Sequence, residues 1–295
     1  MAEPAVVTGD VPTWMAKEYF EPAIEASLNL NGAENKFSID EIHVKPATEA
    51  GDNFASKIYR VQVDVTLPDG TTKKTISLIV KALITTGLTE ELLQLLNLFP
   101  KEVEMYTKFL PAFEEMYHSK GRNVSFGPKC LHHTSEPTVL VMEDLRDQDF
   151  RMANRKEGLD RNHAKVVLQR LAQLHAASAV YRETSGEPFP EIFNHGNYNE
   201  NMKPMMEQQM KSVGPSFDKI LRTWPNGDWY ADMMEDTAAA MTDEIIAIIK
   251  ARPDEFNVLT HGDAWCNNFL FRYDQNQDGK TSLAEIKLVR LFSGA

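Results

Sequence analysis

The chain has 295 residues, 42% of them hydrophobic and 25% charged, with 9% aromatics and a formal net charge of −12. That length and composition suit a globular protein of one large or two modest domains. The acidic balance excludes a nucleic-acid backbone binder, which needs a basic face, but leaves room for a phosphate ligand met by a few local cations and a metal.

The N-terminal MAEPAVVTGD lacks the basic and apolar regions of a signal peptide, so none is expected. No apolar run reaches bilayer-spanning length, and no membrane partner is expected. Two cysteines, Cys130 and Cys266, do not make a disulfide framework and fit a reducing cytoplasm. Oligomeric state leaves no mark in the sequence.

In chain order, Pro12 to Leu28 reads as an amphipathic helix, with Trp14, Met15, Tyr19, Ile24 and Leu28 on one side. Phe37–Val44, Phe54–Leu67 and Thr75–Leu83 read as strands, the last two joined by the turn signal Pro68-Asp69-Gly70. A helical stretch from Thr89 to about Tyr117 is expected to break near Pro100 and Pro111. Short strands follow around Gly127–His132 and Thr138–Met142, then a helix from Asp160 through Tyr181. A loop rich in Asn, Pro and Gly spans Pro188 to Pro204, and helices resume until about Ala251. Strands return at Val258–Thr260, Phe269–Tyr273 and Glu285–Leu291. This order predicts an α+β protein with a β-rich lobe over residues 1–142 and a mainly helical lobe over 143–295. A cleft between two such lobes is a natural ligand site.

Several stretches suggest chemistry. Gly51-Asp52-Asn53-Phe54-Ala55-Ser56 separates two predicted strands, and reads either as a phosphate-cradling loop or as a simple hairpin turn. Lys81 interrupts the apolar run Leu78-Ile79-Val80-Lys81-Ala82-Leu83. A lysine buried there needs a carboxylate or a phosphate, and Glu102 on the next helix can serve; otherwise the lysine snorkels from a strand edge. The strand Val139–Met142 ends in Glu143-Asp144-Leu145, where exposed backbone could hydrogen-bond a planar base. His175 lies among small residues on a helix and reads as a packing histidine. The most specific stretch is His261-Gly262-Asp263-Ala264-Trp265-Cys266-Asn267-Asn268, which runs into Phe269-Leu270-Phe271. Asp263 is suited to take a proton from a substrate hydroxyl and Asn268 to bind magnesium, with His261 bracing the loop. A rival pattern, Asp274-Gln275-Asn276-Gln277-Asp278-Gly279 with Glu285 at the twelfth position, has calcium-loop spacing. Its flanks are strand-like, whereas such a loop needs helices on both sides, so a polar hairpin is expected instead.

Together, GDNFASKIYRV, LIVKAL, FPKEVEMY, VLVMEDL, LAQLHAAS and HGDAWCNNFLF resemble the insect ecdysteroid kinase-like family, within the choline/aminoglycoside kinase-like group. The resemblance runs from about Gly51 to Leu288. It implies a protein-kinase-like two-lobe fold, ATP and Mg2+ as cofactors, and transfer of the γ-phosphate to a hydroxyl of a small lipophilic molecule, ecdysteroids being the family's named substrates. By the same resemblance, Gly51, Asn53 and Ser56 belong to the loop over the phosphates. Lys81 touches the α- and β-phosphates and pairs with Glu102, Glu143 and Leu145 receive the adenine through their backbone, Asp263 is the catalytic base and Asn268 a metal ligand.

One feature departs from the family pattern. A second metal-binding Asp is expected after Ile286-Lys287-Leu288-Val289, yet Arg290 stands there and the sequence closes with Leu291-Phe292-Ser293-Gly294-Ala295. A cation aimed at a magnesium position reverses the local electrostatics. The expectation is therefore a kinase by ancestry that is truncated, with an incomplete helical lobe, and impaired; the alternatives are a pseudokinase that binds without turnover and, behind it, a calcium-binding protein. Because Val-Arg is also what a read-through intron donor site encodes, the tail itself is expected to derive from an intron, which sequencing of the mature message tests.

Overall fold

The computed structural model of the protein describes residues 11–30, 36–47, 56–83, 96–194, 196, 198–252, 254–275 and 281–289. Helix α1 (Lys17–Leu28) precedes three strands, β1 (Ser38–Pro46), β2 (Ser56–Thr66) and β3 (Lys73–Leu83). Then come α2 (Leu98–Glu104), a π-helical turn at Met105–Phe109, and α3 (Leu110–His118). Strands β4 (Cys130–Ser135) and β5 (Thr138–Glu143) lead through a short 3-10 turn at Leu145–Gln148 to β6 (Arg151–Met152). Helices α4 (Arg161–Ser185), α5 (Lys203–Leu221) and α6 (Gly227–Ile249) are followed by β7 (Phe269–Gln275) and β8 (Thr281–Leu288). The fold is of the mixed α+β class expected.

The described residues cluster into two compact units. The first comprises Met1–Leu93, Glu102–Arg170 and Ala264–Arg290. It holds a five-stranded antiparallel sheet of order β1-β2-β3-β5-β4 and a three-stranded one of order β6-β7-β8. The large sheet follows directly from period-two alternation. On one face Tyr59, Val61, Val63 and Val65 of β2 join Leu78, Val80 and Ala82 of β3 and Val139 and Val141 of β5, all buried. Phe20, Ala23 and Ile24 of α1 complete that core. The second unit comprises Gln94–Lys101, Leu171–Asp263 and Leu291–Ala295 and is mainly helical among its described residues.

Two expectations are corrected. Pro111 does not break its helix. It sits in the first turn of α3, where a missing N–H is tolerated, and the π-helical turn just before it carries the chain through. Val258–Thr260 forms no strand, only a lone bridge at Thr260. The two-residue β6, invisible to periodicity at that length, pairs Arg151 with Phe271 and Met152 with Leu270. The calcium-loop pattern is flanked by β7 and β8, which pair antiparallel from Phe269↔Leu288 to Gln275↔Thr281, so it lacks the required helices. Residues 276–280 of that pattern lie outside the described residues.

Candidate functional site

The face of the large sheet opposite its core carries the site. Alternation along β3 sends Ile79 and Lys81 there, and the register sets Ile58 of β2 opposite Lys81 and sets both Arg60 and Met142 opposite Ile79. These side chains line a cavity of about 190 Å3 within the first unit. Leu270 of β7, Val289 beyond β8 and Asn267 line it from the small sheet. Ile58, Ile79, Leu270 and Val289 give part of this lining an apolar character.

At one end Lys81 is 4% exposed and Glu102 1%. The ammonium donates to both carboxylate oxygens, at 2.6 Å to Oε1. Either charge buried alone would cost several kcal/mol, and the pairing offsets that cost. Tyr106, one turn after Glu102, also lines the cavity and packs where Gly127 leaves space: a Cβ at Gly127 would stand 3.1 Å from the tyrosine ring and 3.0 Å from the Leu288 carbonyl.

At the other end Asp144 is buried and holds Arg60, whose Nε donates to Oδ2 at 2.5 Å. Ser77 Oγ donates to the same oxygen at 2.9 Å, and the Arg146 N–H donates to Oδ1 at 3.1 Å. Burial pushes this carboxyl up, but the bonds from Arg60, Arg146 and Ser77 outweigh it and hold the group below the usual carboxylate range. Lining the cavity are the cations Arg60, Lys81, Arg146 and Arg151 and the carboxylates Glu102, Glu143 and Asp144. Four against three leaves the cavity locally positive in a chain of net charge −12, the condition an acidic protein needs to hold an anion.

Of the residues singled out from sequence, Lys81 and Glu102 are brought together. Glu143 ends β5, its N–H donating to the Lys129 carbonyl at 3.1 Å, and Leu145 opens the 3-10 turn; both line the cavity. Ser56 opens β2, buried, opposite Leu83. Gly51, Asn53 and Arg290 lie outside the described residues. Asp263 belongs to the second unit and Asn268 to the first.

In the second unit, Gly262 adopts φ +75°, a left-handed conformation that a side chain resists, and it turns the chain between His261 and Asp263. His261 is buried, and its Nδ1 accepts the Asp263 main-chain N–H at 3.4 Å. In the first unit, Asn268 is fully buried; its N–H donates to the Trp265 carbonyl and its own carbonyl accepts from the Val289 N–H, each at 2.9 Å. His175 is half-buried, and burial lowers its pKa.

Arg60, Asp144 and Asn267 line the cavity without having stood out in the sequence. For Arg60 the signal is there, a cation within an alternating apolar strand like Lys81. For Asp144 it is not, because Glu143 and Asp144 are adjacent acids and only the backbone turn decides which one points inward.

The ecdysteroid kinase-like family model matches residues 50–289, which take in nearly all of this cavity. The chain belongs to the ecdysteroid kinase-like family. Membership makes it a small-molecule-kinase-like protein of the phosphotransferase type. No curated protein gives a significant match. No helix among the described residues of this ecdysteroid kinase-like chain is long and apolar enough to cross a membrane.

Proposed function

We propose that the protein binds ATP in the cavity and transfers its γ-phosphate to a hydroxyl of a small lipophilic acceptor, ecdysteroid-like in character. The observation that carries this reading is the buried Lys81–Glu102 pair at the edge of a locally positive apolar slot. An ion pair this deep gains little stability over well-packed apolar residues, so its use is more naturally functional. In this reading the adenine lies in the slot and meets the Glu143 carbonyl and the Leu145 N–H, while Lys81, oriented by Glu102, holds the α- and β-phosphates. Gly51, Asn53 and Ser56 are assigned to the phosphates by the same family pattern.

Asp263 accepts the acceptor's hydroxyl proton, and the left-handed Gly262 together with His261 sets its backbone. For magnesium, the Asn268 amide oxygen is a hard donor of the right kind; the metal, when bound, neutralises charge on the phosphate oxygens. A second carboxylate donor is lacking at Arg290, so turnover is slow. That same substitution favours the second reading, a pseudokinase that binds nucleotide or a hydroxylated metabolite without transfer.

The test is titration of Mg-ATP by calorimetry together with a γ-phosphate transfer assay over a panel of hydroxylated lipophiles. Lys81→Met is expected to weaken nucleotide binding on the order of tenfold or more. Asp263→Asn should leave binding intact and remove transfer, and Arg290→Asp should raise turnover. Nucleotide binding that ignores Lys81→Met sinks the proposal. Binding that depends on Lys81 with no transfer, even in Arg290→Asp, selects the pseudokinase reading.

A further inference from the structure

At the edge of the large sheet, β1 brings a second group of ligand-bearing side chains together. The pairing of β1 with β2 sets Ile39 opposite Val65 but Glu41 opposite Asp64, so Asp40 is one residue too many on β1. That bulge decides which way the strand faces. Without the extra residue Glu41 and His43 would stand opposite Val63 and Val61, on the core face. With it, His43 stands opposite Gln62, and Glu41, His43 and Asp64 share the face turned away from the core.

Their ligand atoms converge. His43 Nε2 lies 3.7 Å from Glu41 Oε2 and 3.6 Å from Asp64 Oδ2, and the three atoms lie within 4.8 Å of one another. A tetrahedral dication with bonds of about 2.0–2.2 Å to nitrogen and oxygen holds its ligand atoms about 3.4 Å apart. Small rotations of these side chains therefore close the set. Asp64 is already aimed, because its Oδ1 accepts the Thr75 hydroxyl at 2.5 Å and its Oδ2 is left toward His43.

Charge independently calls for a cation. Like charges directly opposite on neighbouring strands destabilise a sheet, yet Glu41 faces Asp64. Among the described residues no lysine or arginine pairs with either carboxylate. The nearby Lys73 is paired instead with Asp40, at 3.4 Å to an oxygen that also accepts the Thr66 hydroxyl at 2.8 Å. Magnesium and calcium prefer oxygen-only sites, whereas an imidazole beside two carboxylates suits zinc. Glu41 and His43 also precede residues 50–289, so the family match does not account for them.

We propose that Glu41, His43 and Asp64 bind a zinc ion that clips the edge strand β1 to β2. The site shares no residue with the nucleotide cavity or with Asn268, and it does not rest on the kinase reading.

The experiment titrates the full chain with zinc chloride by calorimetry at pH 8, above the ordinary imidazole range, and follows thermal unfolding with and without the metal. Zinc should bind and raise the Tm, because the three ligands converge only in the folded chain. His43→Ala and Asp64→Asn are each expected to weaken that binding by about tenfold or more and to abolish the rise in Tm. Glu41→Gln should move two readouts in opposite directions. With one of the facing charges gone the metal-free chain gains stability, while zinc affinity falls. A cluster that was only a histidine ion pair would lose stability instead. The proposal is overturned if zinc does not bind, or if both His43→Ala and Asp64→Asn bind it like the wild type. It is equally overturned if magnesium or calcium displaces zinc at equal concentration, or if Glu41→Gln lowers the Tm of the metal-free chain.

Discussion

Two ion pairs, one buried and one part-buried, border one cavity, and they are built differently. Lys81–Glu102 joins a strand to a helix through a rotatable ammonium. Arg60–Asp144 joins a strand to the turn after β5 through a planar fork, and Ser77 and the Arg146 N–H also donate to its carboxylate. Arginine's guanidinium is committed by its geometry, whereas a lysine ammonium can redirect its three donors to an arriving phosphate. On the function proposed above, the contrast separates a clamp that holds the connection between strand and turn from a pair that meets the nucleotide.

The largest expected effect comes from breaking the lysine pair on one side only. Glu102→Ala takes the facing carboxylate away from a buried ammonium and is expected to cost about 3–5 kcal/mol, measured by urea denaturation. The double change Lys81→Met with Glu102→Leu should restore most of that stability while nucleotide binding stays lost. A double variant that still binds Mg-ATP like the wild type would show that the pair is only structural.

How much of this contrast the sequence announces depends on the kind of signal. Lys81 is legible because a cation inside Leu78–Leu83 violates the apolar pattern, and burial then demands a partner. The sheet and its core are legible for the same reason, since alternation assigns each side chain a face. Arg60 carries an equal signal within Ile58–Val65. The identity of its partner is hidden, because Glu143 and Asp144 differ only through the backbone turn at Leu145–Gln148. The π-helical turn at Met105–Phe109 is hidden too: it reflects how the chain accommodates Pro111 under tertiary packing, which local propensity does not encode. The His261–Asn268 stretch is legible as a motif but not as geometry, since its turn rests on the left-handed Gly262 and its far end on a bond to Val289.

A middle-sized effect is expected at the arginine clamp. Asp144→Asn keeps the shape but loses the charge facing Arg60, at a cost of about 2 kcal/mol. The Asp144 carboxyl is held below its ordinary value, so the unfolded chain binds the proton more readily. The clamp's contribution is then fully present above the ordinary carboxylate pKa, about 4, and is lost as pH falls through the lower folded value. Thermal unfolding followed from neutral pH into acid should show a shallower decline for Asp144→Asn than for the wild type. Parallel declines would mean that Asp144 is not the titrating clamp. Nucleotide affinity should change far less here than at Lys81, which is the comparison in its sharpest form.

The smallest effect tests whether the lysine end can be disturbed without touching either charge. Gly127 lies outside the left-handed backbone region, so alanine brings no conformational strain of its own. Its added methyl would stand 3.0 Å from the Leu288 carbonyl and 3.1 Å from the Tyr106 ring. The Leu288 carbonyl has little freedom because the N–H of the same peptide unit, that of Val289, is bonded to the Asn268 carbonyl at 2.9 Å. The tyrosine ring must give instead, and Tyr106 sits one helical turn beyond Glu102. Gly127→Ala is therefore expected to cost about 1 kcal/mol, the low end of over-packing. It should also weaken Mg-ATP binding measurably, while the acid decline set by Asp144 stays unchanged. A variant that loses stability with unaltered nucleotide affinity would show that Tyr106 does not transmit to the Lys81–Glu102 end, and that Gly127 serves packing alone.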